Sequence, residues 1–211
     1  MIHIVNLEVS NVASVANMLR RAGCPETSIT NDPETLSHAK RIILPGVGSF
    51  DHAMQAMDRF GLREILFDRA MKAKVPLLGI CLGMQMLFEG SEEGTQVGLR
   101  CLPGRSVRFR TEGFSSQKLR VPHMGWNTLS LRKKSKLFPR VTQEETEADR
   151  FYFVHSYHVQ CDQPDDILAT TDHGYAFSSA VERDNVFGVQ FHPEKSHRYG
   201  MQLLKAFHEL T

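Results

Sequence analysis

The sequence predicts an α/β fold, a mostly parallel sheet covered by helices on both faces, with an antiparallel extension in its second half. Three observations predict it. Strand-like and helix-like patterns alternate through the first part of the chain. Two apolar runs end in segments rich in reactive side chains, LLGICLGMQMLFEG around Cys81 and GVQFHPEKS around His192 and Glu194. Beyond these alternating units, short strand-like runs succeed one another without helices between them.

The elements follow in order. A strand starts the chain over 2–5, and Val12, Val15, Ala16, Leu19 and Ala22 recur at helical spacing before Gly23, a C-terminal stop. A second strand over 41–44 (RIIL) precedes the loop PGVG, and helices follow over 53–58 and 62–73, the latter with Leu62, Ile65, Leu66 and Ala70 on one face. The run VPLLGI (75–80) reads as a buried strand and LGMQMLF (82–88) as a helix with Leu82, Met86 and Leu87 apolar. Residues 107–110, 119–121, 151–154 and 177–181 then read as strands, and the polar turn 182–185 joins the last of them to a strand over 185–191 that carries Gln190. Leu203, Ala206, Phe207 and Leu210 form the apolar stripe of a closing helix. In such a sheet, ligands bind beyond the carboxyl ends of the parallel strands, the edge to which both reactive segments belong.

Composition narrows the function classes. With 211 residues and no linker-like stretch or charge block, the chain reads as one domain, 1–211. Lys plus Arg number 25 against 24 Asp plus Glu, a net charge of +1 that gives no general attraction for nucleic acid or an anionic membrane. No nucleic-acid motif and no run of membrane-spanning length is present in the sequence. The four cysteines, at 24, 81, 101 and 161, lack the close pairing of a zinc site, and with no signal peptide they point to a reducing cytoplasm. The ten histidines are scattered. His155 and His158 have helix-like spacing but fall in a strand-like segment, where they would face opposite sides, so no metal site is expected.

Cys81 sits at a predicted strand-to-helix elbow flanked by Gly79 and Gly83. A turn that sharp needs residues without a Cβ, and it would expose the sulfur at a helix N-terminus whose dipole and free N–H groups favour a thiolate. The competing reading is a small buried hydrophobe, the usual fate of an intracellular cysteine. His192 ends a strand, Pro193 stiffens the link to Glu194, and the Glu194 carboxylate could bond one ring nitrogen while the other takes the thiol proton. Alone, His-Pro at a strand end is more often a plain turn; together with the glycine-flanked cysteine it outlines a catalytic triad. An oxyanion needs two fixed N–H groups. Leu82, directly after the nucleophile, offers one, and the loop Gly46-Val47-Gly48 has the backbone freedom to offer the other, although PGVG also reads as a tight turn.

These motifs, with PGVGSF (45–50), GICLGMQ (79–85), PHMGWN (122–127), YFVHSY (152–157) and GVQFHPEKS (188–196), resemble the class I glutamine amidotransferases over nearly the whole length. Within that class the chain is similar to the glutaminase subunits of imidazole glycerol phosphate synthase. The resemblance implies a flavodoxin-like three-layer fold of class I glutamine amidotransferase type. It implies Cys81 as nucleophile, His192 as base and then acid, Glu194 as the group orienting His192, and the Val47 and Leu82 backbone as oxyanion hole. It further implies that the Val47 peptide faces away in the resting enzyme and flips with the partner. Gly46, Gly48, Gln85, Ser156 and Tyr157 are implied to hold glutamine, although Gln85 could equally cap its helix and VHSYHV suits an ordinary half-buried strand. A single tryptophan fits a core as well as an interface; the resemblance assigns Trp126 to the partner-facing surface, with Asn127, Lys195, Ser196 and His123. It implies no cofactor and a heterodimer with a TIM-barrel cyclase, which would take the ammonia to form imidazole glycerol phosphate and an aminoimidazole carboxamide ribotide. Enclosed transfer has a chemical reason, because free ammonia at neutral pH is mostly protonated and poorly nucleophilic.

One segment departs from that pattern. Where the family reads much like DYGMGN, residues 6–11 read NLEVSN, with both glycines absent, so positive-φ geometry would be costlier there. Two further readings therefore stand beside the first: a glutaminase serving another synthase, such as one aminating a surface sugar, and a regulatory or binding subunit without catalysis.

Overall fold

The computed structural model describes residues 1–8, 10–111, 119–138 and 149–210. The chain opens with β1 (Ile2–Val5), α1 (Val12–Arg21), β2 (Thr27–Thr30), α2 (Pro33–Ser37), β3 (Ile42–Gly46), α3 (Phe50–Arg59), α4 (Arg63–Met71), β4 (Leu77–Cys81) and α5 (Leu82–Met86). There follow β5 (Gly104–Arg108), β6 (His123–Thr128), β7 (Ser130–Leu131), β8 (Arg150–His155), β9 (Tyr157–Cys161), β10 (Ile167–Asp172), β11 (Ala176–Arg183), β12 (Val186–Val189) and α6 (His197–Glu209).

The main sheet runs β2-β1-β3-β4-β12-β11-β10-β7. Its members from β2 to β12 are parallel, whereas β11, β10 and β7 pair antiparallel beyond them, so the predicted mixed architecture is what forms. β9 joins β11 and carries β5, while β6 and β8 make a separate two-stranded ribbon. Period-two alternation in the parallel strands feeds two hydrophobic layers. Ile2, Ile4 and Ile43 pack with Val15 and Leu19 of α1 and Leu204 and Phe207 of α6. Val5, Ile42 and Leu44 turn to the other face and pack with Met54 and Met57 of α3 and Leu66 of α4. Strand order reverses at β1, which neighbours both β2 and β3, and the carboxyl ends of β1, β3, β4 and β12 share one edge.

Several boundaries differ from expectation, each for a local reason. β2 and α2 were not expected. β2 is a four-residue edge strand, TSIT, with Ile29 exposed, so it carries no apolar alternation to read. Helix α3 starts three residues earlier than its apolar spacing indicates, at Phe50, whose N–H is taken by the Glu93 carboxylate at 2.9 Å. α5 ends at Met86 rather than reaching 88, because Leu87 and Phe88 close tighter turns onto Met84 and Gln85. Residues 119–121 are not a strand; the pairing begins at His123, within the PHMGWN motif.

The departure in the segment after β1 also has a structural answer. Glu8 stands at a φ of 61°, the left-handed conformation that a glycine would adopt cheaply. Its N–H is received by Asn6 Oδ1 at 3.0 Å, and its carboxylate accepts from Arg59 at 2.8 Å. Neighbouring Val9 lies outside the described residues.

Candidate active site

Cys81 closes β4 and caps α5 with φ 55° and ψ −110°, a backbone conformation costing a non-glycine residue on the order of 1–3 kcal/mol. The surroundings over-determine it. β3 and β4 are in register so that Gly46 lies opposite Cys81, and α5 lies backbone to backbone on them. A Cβ at Gly83 would sit 1.7 Å from the Leu44 carbonyl oxygen, and one at Gly79 would sit 2.6 Å from that of Gly83. The flanking glycines thus serve close approach of helix to sheet, and the predicted elbow forms. The sulfur, however, is not exposed as expected: Cys81 is only 6% accessible and forms part of the wall of a cavity of about 340 Å³. The five-residue helix also gives a shorter dipole than the one expected.

β12 runs beside β4, with Val189 opposite Ile80, so the residues just beyond it arrive next to Cys81. His192 is held there by its backbone N–H to Tyr152 O at 2.9 Å and by Ser196 Oγ, which donates to the His192 carbonyl at 2.6 Å and accepts from the Tyr152 N–H at 3.0 Å. Ser196, expected at the partner-facing rim, is instead wholly buried in this clamp. A 3₁₀ turn over Pro193–Lys195 brings Glu194 back, and its Oε1 lies 2.8 Å from His192 Nδ1. Burial alone would depress the imidazolium. The Cys81 sulfur and the Glu194 carboxylate outweigh it, and His192 is raised to about 10. Nδ1 is thereby engaged and Nε2 is left toward the sulfur, with no other hydrogen-bond partner among the described residues. The arrangement places an imidazole that holds its proton between a carboxylate and the sulfur, the pairing that a thiol nucleophile uses.

The cavity is lined by Val47, Gly48, Leu82, Gln85, Ser156, Tyr157, His192 and Lys195 among the expected residues, and by Glu93, Pro122, Val154 and His155, which sequence reasoning did not single out. Gly46 stands one residue behind the lining, at the end of β3. Val47 is exposed, Gly48 has a φ of 92°, and Leu82 is the first residue of α5, whose N–H has no intrahelical partner. Gln85 uses both hydrogens of its amide inward, on Tyr157 O at 3.1 Å and Gln190 Oε1 at 3.2 Å, leaving its oxygen as the group for a ligand. The carbonyls of Ser156 and Tyr157 are likewise engaged, by the N–H of Phe109 and by Gln85 and His155.

Other expected positions divide by strand parity. On β6, Met124 and Trp126 point outward, 62% and 45% accessible, and Trp126 stacks on His197 at 5.3 Å. Lys195 is exposed and lies 5.7 Å over the Tyr152 ring, close to that group. His123 and Asn127 point the opposite way. His123 is buried, its Nδ1 3.0 Å from His155 Nε2, and Asn127 donates to Asp172 O at 2.8 Å. Neither therefore lies with Trp126 on the outer face. His155 and His158 also depart from expectation. The chain bends at Ser156 between β8 and β9, so both rings meet Phe109, at 5.1 and 4.7 Å, instead of facing apart. Among the described residues, no group of three or more histidine, cysteine or acidic side chains is arranged to hold a metal ion, and no helix is long and apolar enough to cross a membrane.

The family model for glutamine amidotransferase class-I matches residues 3–210. The chain is 46% identical over 207 residues to the imidazole glycerol phosphate synthase subunit HisH 2 of Methanococcus maripaludis, covering 98% of each. It is 44% identical over 211 residues to the subunit HisH 2 of Pseudomonas aeruginosa, covering 100% of each. It is 47% identical over 214 residues to the subunit HisH of Bdellovibrio bacteriovorus, again covering 100% of each. Among solved structures, one described as a glutamine amidotransferase superposes with a TM-score of 0.71 at 19% identity, covering 96% of this chain and 98% of that one. A putative GMP synthase component from Thermoplasma acidophilum gives 0.67 at 18% identity, covering 98% and 90%; at such identities the likeness concerns the fold.

Proposed function

The chain belongs to the class-I glutamine amidotransferase family, and from that premise we propose that it is the glutaminase subunit of imidazole glycerol phosphate synthase, cleaving glutamine to glutamate and ammonia for a cyclase partner. The observation that carries the reading is the meeting of Cys81 and His192 at one cavity, with Glu194 behind the imidazole, its Oε1 2.8 Å from His192 Nδ1.

On this reading Cys81 Sγ, as thiolate, attacks the side-chain carbonyl carbon of glutamine. The resulting oxyanion is met by the N–H of Leu82 and, once oriented inward, by that of Val47. His192 gives its Nε2 proton to the leaving nitrogen, ammonia departs, and a thioester remains. His192 then takes a proton from water, which attacks the thioester; collapse releases glutamate and restores the thiolate. Glu194 keeps the imidazole in one orientation and stabilises its charged form. Glu93, the carboxylate of the cavity wall outside the triad, has the charge for the α-ammonium of glutamine, and the Gln85 oxygen is a further acceptor beside it.

The partner we infer is a TIM-barrel cyclase, forming a heterodimer in which ammonia passes directly to the second site. Support comes from the subunit names of the relatives and from the exposed apolar side chains Val47, Met124 and Trp126. A second reading, a glutaminase feeding another synthase such as one aminating a surface sugar, is favoured by NLEVSN over residues 6–11. There the left-handed residue is an acidic one tied to Arg59.

The deciding experiment is steady-state glutamine hydrolysis by the purified chain alone, with the cyclase of the same cell, and with cyclase plus its nucleotide ligand. Stimulation requiring both supports the first reading. High turnover alone moves the assignment to another synthase, and a folded chain inert under every condition moves it to a non-catalytic role.

A further inference from the structure

Gln190 takes no part in the triad, yet it is wholly buried and its side chain ends at the nucleophile. It belongs to the residues that follow β12 toward His192, and its backbone N–H is fixed by Ser179 O at 2.9 Å. Its Nε2 lies 3.7 Å from Cys81 Sγ, hydrogen-bonding distance for sulfur, and its Oε1 receives Gln85 Nε2 at 3.2 Å. Gln85 Nε2 also donates to Tyr157 O at 3.1 Å.

This chain of contacts has a direction. A backbone carbonyl can only accept, so Tyr157 O fixes the NH₂ end of Gln85 toward itself. The same NH₂ donates onward, so the group of Gln190 facing Gln85 must be its oxygen, and the NH₂ of Gln190 must face the sulfur. Turning the Gln190 amide over would set two donors against each other in a buried site. Cys81 meets two surroundings accordingly. A neutral thiol can donate to Val154 O at 4.0 Å, whereas a thiolate repels that carbonyl and accepts from Gln190, a bond strengthened by the charge.

We propose that Gln190 is a positioning residue for the nucleophile: its amide holds the Cys81 thiolate, and Tyr157 O and Gln85 fix which end of the amide the sulfur meets. This rests on Cys81 being the nucleophile of the proposed glutaminase. It also assigns Gln85 a second task, since a ligand taken up by the Gln85 oxygen bears on the group that orients the sulfur's donor.

The test is alkylation of Cys81 by iodoacetamide across pH in the full chain, read at the Cys81 peptide by mass spectrometry. The titratable and charged groups around the sulfur, His192 with Glu194 behind it, Lys195, Glu93 and His155, are unchanged in the variant Gln190→Met, which keeps the length of the side chain but has no donor. The midpoint of alkylation is expected to move up by about one pH unit and the rate at pH 7 to fall about tenfold, the size of a hydrogen bond to a charged acceptor. Coincident profiles for the variant and the natural chain overturn the proposal. Should Gln190→Met be recovered unfolded, Gln85→Met frees the Gln190 amide to turn and is expected to move the midpoint the same way by less; an unmoved midpoint there overturns it equally. Glutamine hydrolysis on the same preparations separates the two claims. A natural chain inert toward glutamine even with the cyclase and its nucleotide ligand, whose midpoint still moves with Gln190→Met, overturns the functional reading alone, and hydrolysis under those conditions with an unmoved midpoint overturns the positioning role alone.

Discussion

His192, just beyond β12, and His123, the first residue of β6, are both buried histidines, and their ionisation is pushed in opposite directions. His123 belongs to a cluster with His155, His158 and His173 around Phe109 and Phe177. Burial there, with His173 nearby, lowers His123 to about 4. His155 is held well below its usual value and His158 is also lowered, burial leading in both. His192 meets burial too, but the sulfur on one side and the carboxylate on the other carry it up to about 10. Desolvation is thus common to both regions, and the sign of the outcome is set by whether anions bond the ring directly, as Glu194 does at His192, or act only at longer range, as Glu92 does on His158. In the cluster most neighbours are other imidazoles and backbone carbonyls, and at His158 the Glu92 carboxylate and the Arg110 guanidinium act in opposite directions; His158 Nε2 meets the Tyr175 hydroxyl at 2.9 Å, and His173 Nε2 meets Arg120 O at 2.8 Å.

The comparison can be broken most severely at the sulfur. Cys81→Ala removes both the nucleophile and one of the charges that hold His192 protonated. Glutamine hydrolysis is expected to fall to background, while size-exclusion chromatography still finds the complex with the partner; residual hydrolysis above background would contradict the assignment. Glu194→Gln is expected to be next. With a neutral amide at Nδ1, His192 loses a raising influence and its orientation, and hydrolysis should drop by on the order of 10²–10⁴-fold. Single-turnover rates across pH should show the His192 ionisation at lower pH than in the natural chain.

The two regions also leave opposite marks on stability. For His123 the folded state holds the proton less tightly than the unfolded chain, whose histidines titrate near 6.5. Its contribution is therefore present above that pH and lost as pH falls toward 4. For His192 the folded state holds the proton more tightly, so its contribution is fully present below about 6.5 and lost as pH rises through about 10. Urea unfolding of His123→Gln is expected to show an acid limb between pH 6.5 and 4 that is shallower by on the order of 2 kcal/mol. A limb as steep as that of the natural chain would mean that His123 is not held neutral. The smallest expected effect on folding separates the two faces of β6. Trp126→Ala should lower the stability of the isolated chain by less than about 1 kcal/mol, yet weaken partner binding by about 2 kcal/mol in calorimetry. Equal losses in both would return Trp126 to a structural role.

What could be read from the sequence was what lies within a few residues of itself. A strand ending in a glycine-flanked cysteine states its local geometry, and although the other strand stops at Val189, short of the expected 191, the parallel pairing of β4 with β12 still brings His-Pro-Glu beside the cysteine. The alternation of units likewise announced the parallel sheet. Strand parity was not legible in PHMGWN, because the inward or outward sense of His123 depends on where pairing begins, and that is set by β8, far along the chain. Nor was the meeting of His155 with His158, which follows from one bend at Ser156. Gln190 was read only as part of a strand; its contact with Cys81 joins residues 109 positions apart.

The glycine contacts beneath Cys81 bear on how such a protein can diverge. Positions 79 and 83 admit no side chain, since the added carbon would fall 2.6 Å from one backbone atom and 1.7 Å from another. The seat of the nucleophile is therefore closed to gradual substitution, and any change there has to move two strands and a helix together. Variation is left to the neighbouring loops, Val47 with its exposed side chain and the segment around Glu8 with its charged tether. A descendant serving a different acceptor would keep the ammonia-forming chemistry unaltered and record its new allegiance in those loops, so the history of the protein's partners is to be sought a few residues to either side of its reaction.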